Sequence, residues 1–314
     1  MTAMPQPVPF QPERLRAALG PLALASGPLV EEARAYQRYY GLELGVQRRL
    51  GRLHCDGLEL VAQLWLPAAP QATLILVHGY YDHMGLYRHV IDWALGLNLA
   101  VLSFDLPGHG LSAGPRASID DFAAYQRALQ CLFAEAAGLD LPQPWHLCGQ
   151  STGAAILLDL LLLGAPRPEP GATLLLAPLV RPRAWGLSKL SYHLLGPFRS
   201  ELPRRFSANS NDAEFLDFVR RRDPLQPQTL PTAWVGALAK WIPRIERAPR
   251  SAQRPLIVQG EEDMTVDWRH NLRVLQDKFD RPQILRIPGA RHHLANESEA
   301  IRRQYFAFLS EHLR

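Results

Sequence analysis

The sequence predicts an α/β protein: a mostly parallel, doubly wound sheet of eight strands with helices on both faces and an inserted helical cap. Three observations predict it. Short, nearly continuous apolar runs recur at residues 73–77, 99–104, 146–148, 173–177, 256–259 and 284–287, the pattern of strands covered on both faces. Helical periodicities at 87–95, 119–137, 152–163, 268–279 and 297–312 separate them, which makes parallel crossovers the natural connection. Finally, the excursion between the runs at 173–177 and 256–259 is far longer than an ordinary loop.

Taken in order, the chain divides into an N-terminal arm and helix (residues 1–45), a core (46–180 and 255–314) and the cap (181–254). The start is rich in proline and reads as a mobile arm before a surface helix over residues 29–40. Its stretch from Leu15 to Ala25 has the apolar character of a short secretory segment, opposed by Glu13 and the Gly20-Pro21 pair. Partial alternation over residues 46–66 predicts an antiparallel hairpin with one wet face, adding two strands to the six apolar ones. In the cap, Trp185, Leu187, Leu190, Tyr192, Leu194, Leu195, Phe198, Trp234, Leu238 and Trp241 are expected to pack it onto the body, with a remainder lining a pocket.

Of 314 residues, 47% are hydrophobic and 20% charged, a globular composition with no apolar run of membrane-spanning length. The net charge of +4 is too small to call for nucleic acid. It is unevenly placed: residues 181–254 hold 14 Lys and Arg against 6 Asp and Glu, a net of +8. That asymmetry suits an anionic headgroup or peripheral contact with an anionic membrane face, as well as an ordinary solvated surface. Cys55, Cys131 and Cys148 form no C-x-x-C pair, so buried reduced thiols and a cytoplasmic protein, peripheral to the inner membrane at most, are expected.

The chemistry centres on Gly149-Gln150-Ser151-Thr152-Gly153, between an apolar strand and an apolar helix. A serine in such an elbow is lifted to a helix N-terminus, and the turn closes only if Gly149 and Gly153 carry no side chain. A hydroxyl needs a base, and the base needs a carboxylate to orient it. Just beyond the strand runs at 256–259 and 284–287 come Gly260-Glu261-Glu262-Asp263 and Gly289-Ala290-Arg291-His292-His293. Asp267 is a second candidate acid and His293 a second candidate base. His78 and His83 lack a third partner at metal-ligand spacing, so no metal is expected. No dinucleotide or phosphate-loop fingerprint is present, and no cofactor is expected.

Together with His78-Gly79-Tyr80-Tyr81-Asp82-His83 and Asp105-Leu106-Pro107-Gly108-His109-Gly110-Leu111-Ser112, these motifs resemble the α/β-hydrolase family. The similarity is to its monoglyceride lipase and bacterial lysophospholipase branch, grouped with serine aminopeptidases, over residues 58–309. Gln150 stands where that branch usually has His. The resemblance implies Ser151 as nucleophile, His292 as general base, Asp263 as its orienting carboxylate, and the backbone N–H groups of Tyr80 and Thr152 as the oxyanion hole. It also implies hydrolysis of a carboxylic ester through an acyl-enzyme, on a lysophospholipid or monoacylglycerol. Peptides, thioesters and acyl transfer are alternatives on the same scaffold, and a non-catalytic binding protein is disfavoured by the intact trio.

Overall fold

The computed structural model describes residues 10–25, 27–164, 170–195 and 198–313. Strands β1 (Gln47–Cys55), β2 (Leu58–Leu66), β3 (Ala72–Val77), β4 (Leu99–Phe104), β5 (Trp145–Gln150), β6 (Pro170–Leu176), β9 (Leu256–Gly260) and β10 (Gln283–Ile287) form one sheet. Its order is β1-β2-β4-β3-β5-β6-β9-β10. The pairs β1–β2 and β2–β4 are antiparallel and the rest parallel.

The apolar runs are continuous because successive side chains enter different cores. In β3, Ile75 and Val77 pack with helices α4 (Ala123–Gly138) and α5 (Thr152–Leu162). Leu74 and Leu76 pack on the opposite face with α2 (Glu31–Tyr40), α3 (Arg88–Gly96) and α10 (Glu299–Ser310). Helix α9 (Trp268–Lys278) joins the first layer through Leu272 and Leu275. The expected wet face of the hairpin belongs to β1 alone. Strand β2 lies between β1 and β4, and its one polar inward residue, Gln63, exchanges 2.9 Å hydrogen bonds with the buried Gln37.

The segment between β6 and β9 carries α6 (Trp185–Leu195), β7 (Glu201–Pro203), α7 (Ala213–Arg221), β8 (Thr229–Pro231) and α8 (Thr232–Arg247). The small antiparallel β7–β8 ribbon was not expected, because three residues a strand are too few to display a period. Trp234, Leu238 and Trp241 are buried as expected. Trp241 stacks on Phe122 at 4.5 Å and donates to Asp159 at 3.1 Å, tying α8 to α5. Leu190, Leu194 and Phe198 are instead 55–82% exposed, which corrects the expectation that they pack inward, while the exposed Leu187 falls in the expected remainder that lines a pocket. The side chain of Leu195 lies outside the described residues.

Two further expectations are corrected. Residues 1–9 lie outside the described chain, but the rest of the arm is packed rather than free. Helix α1 (Pro12–Ala18) buries Leu15, and Leu19 and Leu22 are buried after it. Gly51 permits this approach, since a Cβ there would meet the Leu22 Cα at 2.5 Å. Phe10, Tyr36 and Tyr40 then form an aromatic cluster that reaches Phe218 of α7. The thiols are not all reduced either. Cys55 at the end of β1 and Cys131 on α4 form a disulfide across a sequence separation of 76, while Cys148 is free and buried.

Candidate active site

Ser151 sits between β5 and α5 at φ 53° and ψ −109°, a conformation that a non-glycine residue holds only when its surroundings enforce it. The enforcement is visible. A Cβ on Gly149 would meet the Gly153 carbonyl carbon at 2.5 Å, and one on Gly153 would meet the Val77 oxygen at 2.1 Å. The Ser151 N–H donates to Leu176 O at 2.8 Å, fixing the elbow to β6.

Loops beyond β9 and β10 bring Asp263 and His292 to this serine. The Ser151 Oγ lies 2.9 Å from His292 Nε2, and His292 Nδ1 lies 2.7 Å from Asp263 Oδ2. Burial by itself would raise the Asp263 pKa, but His292 and the N–H groups of Val266 and Thr265 outweigh it and hold the carboxyl below its ordinary value. The carboxylate also accepts from Gln259 Nε2 at 3.0 Å. An ionised acceptor at Nδ1 keeps the proton on that nitrogen and leaves Nε2 free to receive one from the serine.

The other candidates are occupied elsewhere. His293 Nε2 lies 3.2 Å from Asp82, and its backbone N–H donates to Asn209. Asp267 caps α9 by accepting from His270 N. Glu261 pairs with Arg286 at 3.2 Å, and Glu262 is exposed.

The loop after β3 packs on the elbow, with Gly79 close enough that a Cβ there would be 3.6 Å from that of Ser151. Among the described residues, the N–H groups of Tyr80 and Thr152 donate to no protein acceptor. Buried histidines brace the loop. His78 Nδ1 lies 2.7 Å from Gly79 O while its Nε2 accepts from Leu106 N at 2.9 Å, and burial lowers its pKa. His83 Nε2 meets Asp223 Oδ2 at 3.0 Å, and the same carboxylate accepts from Tyr40 at 2.6 Å. Asp105 accepts from Met84 N and Leu111 N at 2.8 and 2.7 Å, and His109, pushed down to about 3 by burial, lies against Pro107 O. Among the described residues no group of three or more His, Cys, Asp or Glu is arranged to hold a metal.

The sequence profile of the family described as serine aminopeptidase, S33 matches residues 68–299. The chain belongs to this family. It is 29% identical over 267 residues to human monoglyceride lipase, covering 81% of this chain and 86% of that one. It is 28% identical over 258 residues to a monoacylglycerol lipase of Mycolicibacterium smegmatis, covering 77% and 89%. A soluble variant of the Saccharomyces cerevisiae monoglyceride lipase, solved with a substrate analogue, superposes with a TM-score of 0.71 at 16% identity, covering 83% of this chain and 93% of that one. That likeness shows the α/β-hydrolase fold.

In this S33-family member Ser151 opens onto a cavity of about 850 Å³. Leu179, Leu187, Tyr192, Leu230, Trp234 and Val235 give it apolar lining, and Trp234 stacks on Tyr80 at 3.8 Å. Gln150, the residue that departs from the usual His, lies beside the nucleophile and outside the relay. It is a brace: its Nε2 donates to His292 O at 2.8 Å and its Oε1 accepts from Ala295 N at 3.3 Å. The signal was its departure from the residue usual in the branch, which marked the position without revealing what it touches.

Proposed function

We propose that this chain is a serine hydrolase that cleaves the carboxylic ester of a single-chain lipid, a monoacylglycerol or lysophospholipid. The carrying observation is a Ser151–His292–Asp263 relay opening on a largely apolar cavity of about 850 Å³. Ser151 attacks the ester carbonyl as His292 takes its proton, the Tyr80 and Thr152 N–H groups receive the oxyanion, and His292 returns the proton to the leaving alcohol. Water then repeats the cycle on the acyl-enzyme. The lipid class is supported by kinship with lipases named for monoacylglycerols and by an aromatic lining suited to an acyl chain.

Residues 181–254 act as a cap over this cavity. Leu187, Leu190 and Leu194 form one exposed stripe on α6, continued by Phe198 and flanked by exposed Arg183, Lys189 and Arg199. An apolar stripe bordered by cations fits peripheral contact with an anionic lipid surface. No helix among the described residues is long and apolar enough to cross a membrane. The Cys55–Cys131 disulfide favours an oxidising compartment over the cytoplasm.

Fatty-acid release from a lysophospholipid, a monoacylglycerol and a short-chain ester, with Ser151→Ala as blank, tests the reading. A long-chain preference that disappears in the variant is expected. Turnover of the short ester alone would retain the serine chemistry and remove the lipid assignment.

A further inference from the structure

We propose that the cavity recognises an anionic headgroup through Arg204 and Arg205, so that the preferred substrate is a single-chain lipid ester bearing a phosphate with net negative charge. The proposal deepens the lipid-ester reading above and rests on it. Both arginines follow β7 directly and both line the cavity.

Arg204 is held firmly, but only by neutral groups. Its guanidinium carbon lies 4.0 Å from the Tyr81 ring centroid and 4.2 Å from that of Phe206. One nitrogen donates to Gln226 Oε1 at 2.6 Å and to Pro227 O at 3.1 Å. Arg205 is exposed at the cavity. Among the described residues neither arginine makes a salt bridge. The acid that shares the lining, Asp82, is already engaged by Tyr87 at 2.8 Å and His293 at 3.2 Å. The wall therefore carries two guanidinium groups that no carboxylate contacts, Asp82 and Asp223 acting on Arg204 only from beyond salt-bridge distance.

A half-buried arginine without an acid partner carries a desolvation cost that aromatic faces and amide oxygens offset only in part. An anionic ligand removes the remainder. The flat guanidinium fork matches phosphate oxygens, whereas a quaternary or primary ammonium would meet two like charges. Position also fits. The ring beneath Arg204 is that of Tyr81, next in the chain to Tyr80, so the cation adjoins the loop proposed to hold the reacting carbonyl oxygen. A phosphate on the same glycerol as the scissile ester falls in that neighbourhood.

The test compares kcat/KM on 1-oleoyl lysophosphatidylglycerol, 1-oleoyl lysophosphatidic acid, 1-oleoyl lysophosphatidylcholine and 1-oleoylglycerol. Each is held at low mole fraction in neutral detergent micelles, which keeps surface charge constant and separates the pocket from the basic cap surface. The acidic lipids are expected to exceed the other two by about tenfold or more, the scale of one charge-assisted hydrogen bond. Arg205→Gln, at an exposed position, is expected to lose several-fold more on the acidic lipids than on 1-oleoylglycerol. Arg204→Lys keeps the charge but not the fork and should narrow the preference as well. Equal rates on all four lipids, or equal losses on all four in both variants, would overturn the headgroup assignment while leaving the lipid-ester reading in place. Turnover of a short ester with none of the four lipids cleaved would remove that reading, and the headgroup assignment with it.

Discussion

Replacing Gln150 by Leu should damage both stability and catalysis, and the two losses can be worked out separately. The substitution leaves the His292 carbonyl without its 2.8 Å donor and the Ala295 N–H without its 3.3 Å acceptor, in a site where Gln150 is 1% exposed. A buried polar group left unpaired costs about 1–3 kcal/mol. The longer second bond belongs at the low end, so a loss of about 2–4 kcal/mol is expected. For a chain of this size that corresponds to a Tm lower by roughly 3–6 °C. The kinetic loss has a different origin. His292 must hold its imidazole 2.9 Å from Ser151 and 2.7 Å from Asp263 simultaneously, and a displacement of about 1 Å in a reacting group costs on the order of 10² in rate. Hydrolysis of a soluble short-chain ester should show kcat reduced by about 10–10², with KM moved far less, because the Gln150 amide is taken up by His292 and Ala295 rather than by the apolar part of the lining. Gln150→His, which restores a polar side chain able to donate, should recover part of both losses. A lower Tm with wild-type kcat would refute the positioning argument and reduce Gln150 to a packing residue.

Reduction of Cys55–Cys131, or Cys131→Ser, should lower stability by up to about 4.5 kcal/mol, the loop-closure value for a separation of 76 residues. Denatured, unreduced protein should alkylate at one cysteine, and alkylation at all three would exclude the bridge. Asp223→Asn should cost about 3–5 kcal/mol in chemical denaturation at neutral pH, because it breaks a buried pair with His83. Burial opposes ionisation of Asp223, yet His83, Tyr40 and Gln226 hold its pKa below 3.8. Its contribution is therefore present above about pH 4 and lost as the pH falls through the lower folded value, so wild type should lose stability more steeply in acid than Asp223→Asn. Co-sedimentation with phosphatidylglycerol vesicles should weaken severalfold in a Leu190→Asp, Leu194→Asp double variant and hardly occur with phosphatidylcholine alone; equal binding of both proteins would dismiss α6 as the contact.

The fold and the central trio were legible because their constraints act on residue type within a few positions. An elbow that crowds Gly149 against Gly153 admits no side chain there, and strands covered on both faces require unbroken apolar runs. What stayed hidden depends on contacts between distant parts of the chain. Cys55 and Cys131 meet only because α4 crosses the end of β1, and no spacing rule announces that. Gly51 looks like a flaw in a strand until Leu22 is seen pressed against it. Leu190 and Leu194 read as core residues because hydrophobicity does not say whether a helix face has a neighbour. Gln150 could be placed beside Ser151 from sequence, but its partners lie more than 140 positions further on.

The hydroxyl of Tyr40, bonded to Asp223 and through it to His83, also bears on protein engineering. The family profile begins at residue 68, so a gene trimmed to the recognisable region would discard Tyr40 along with β1 and β2, which follow it. The same holds for chimaeras: a cap transplanted in place of residues 181–254 has to bring its own acceptor for Tyr40 and its own counter-charge for His83, or the loop after β3 loses its anchor. The arm, residues 181–254 and the loop after β3 are one unit of exchange, and a functional swap has to carry residues from all three.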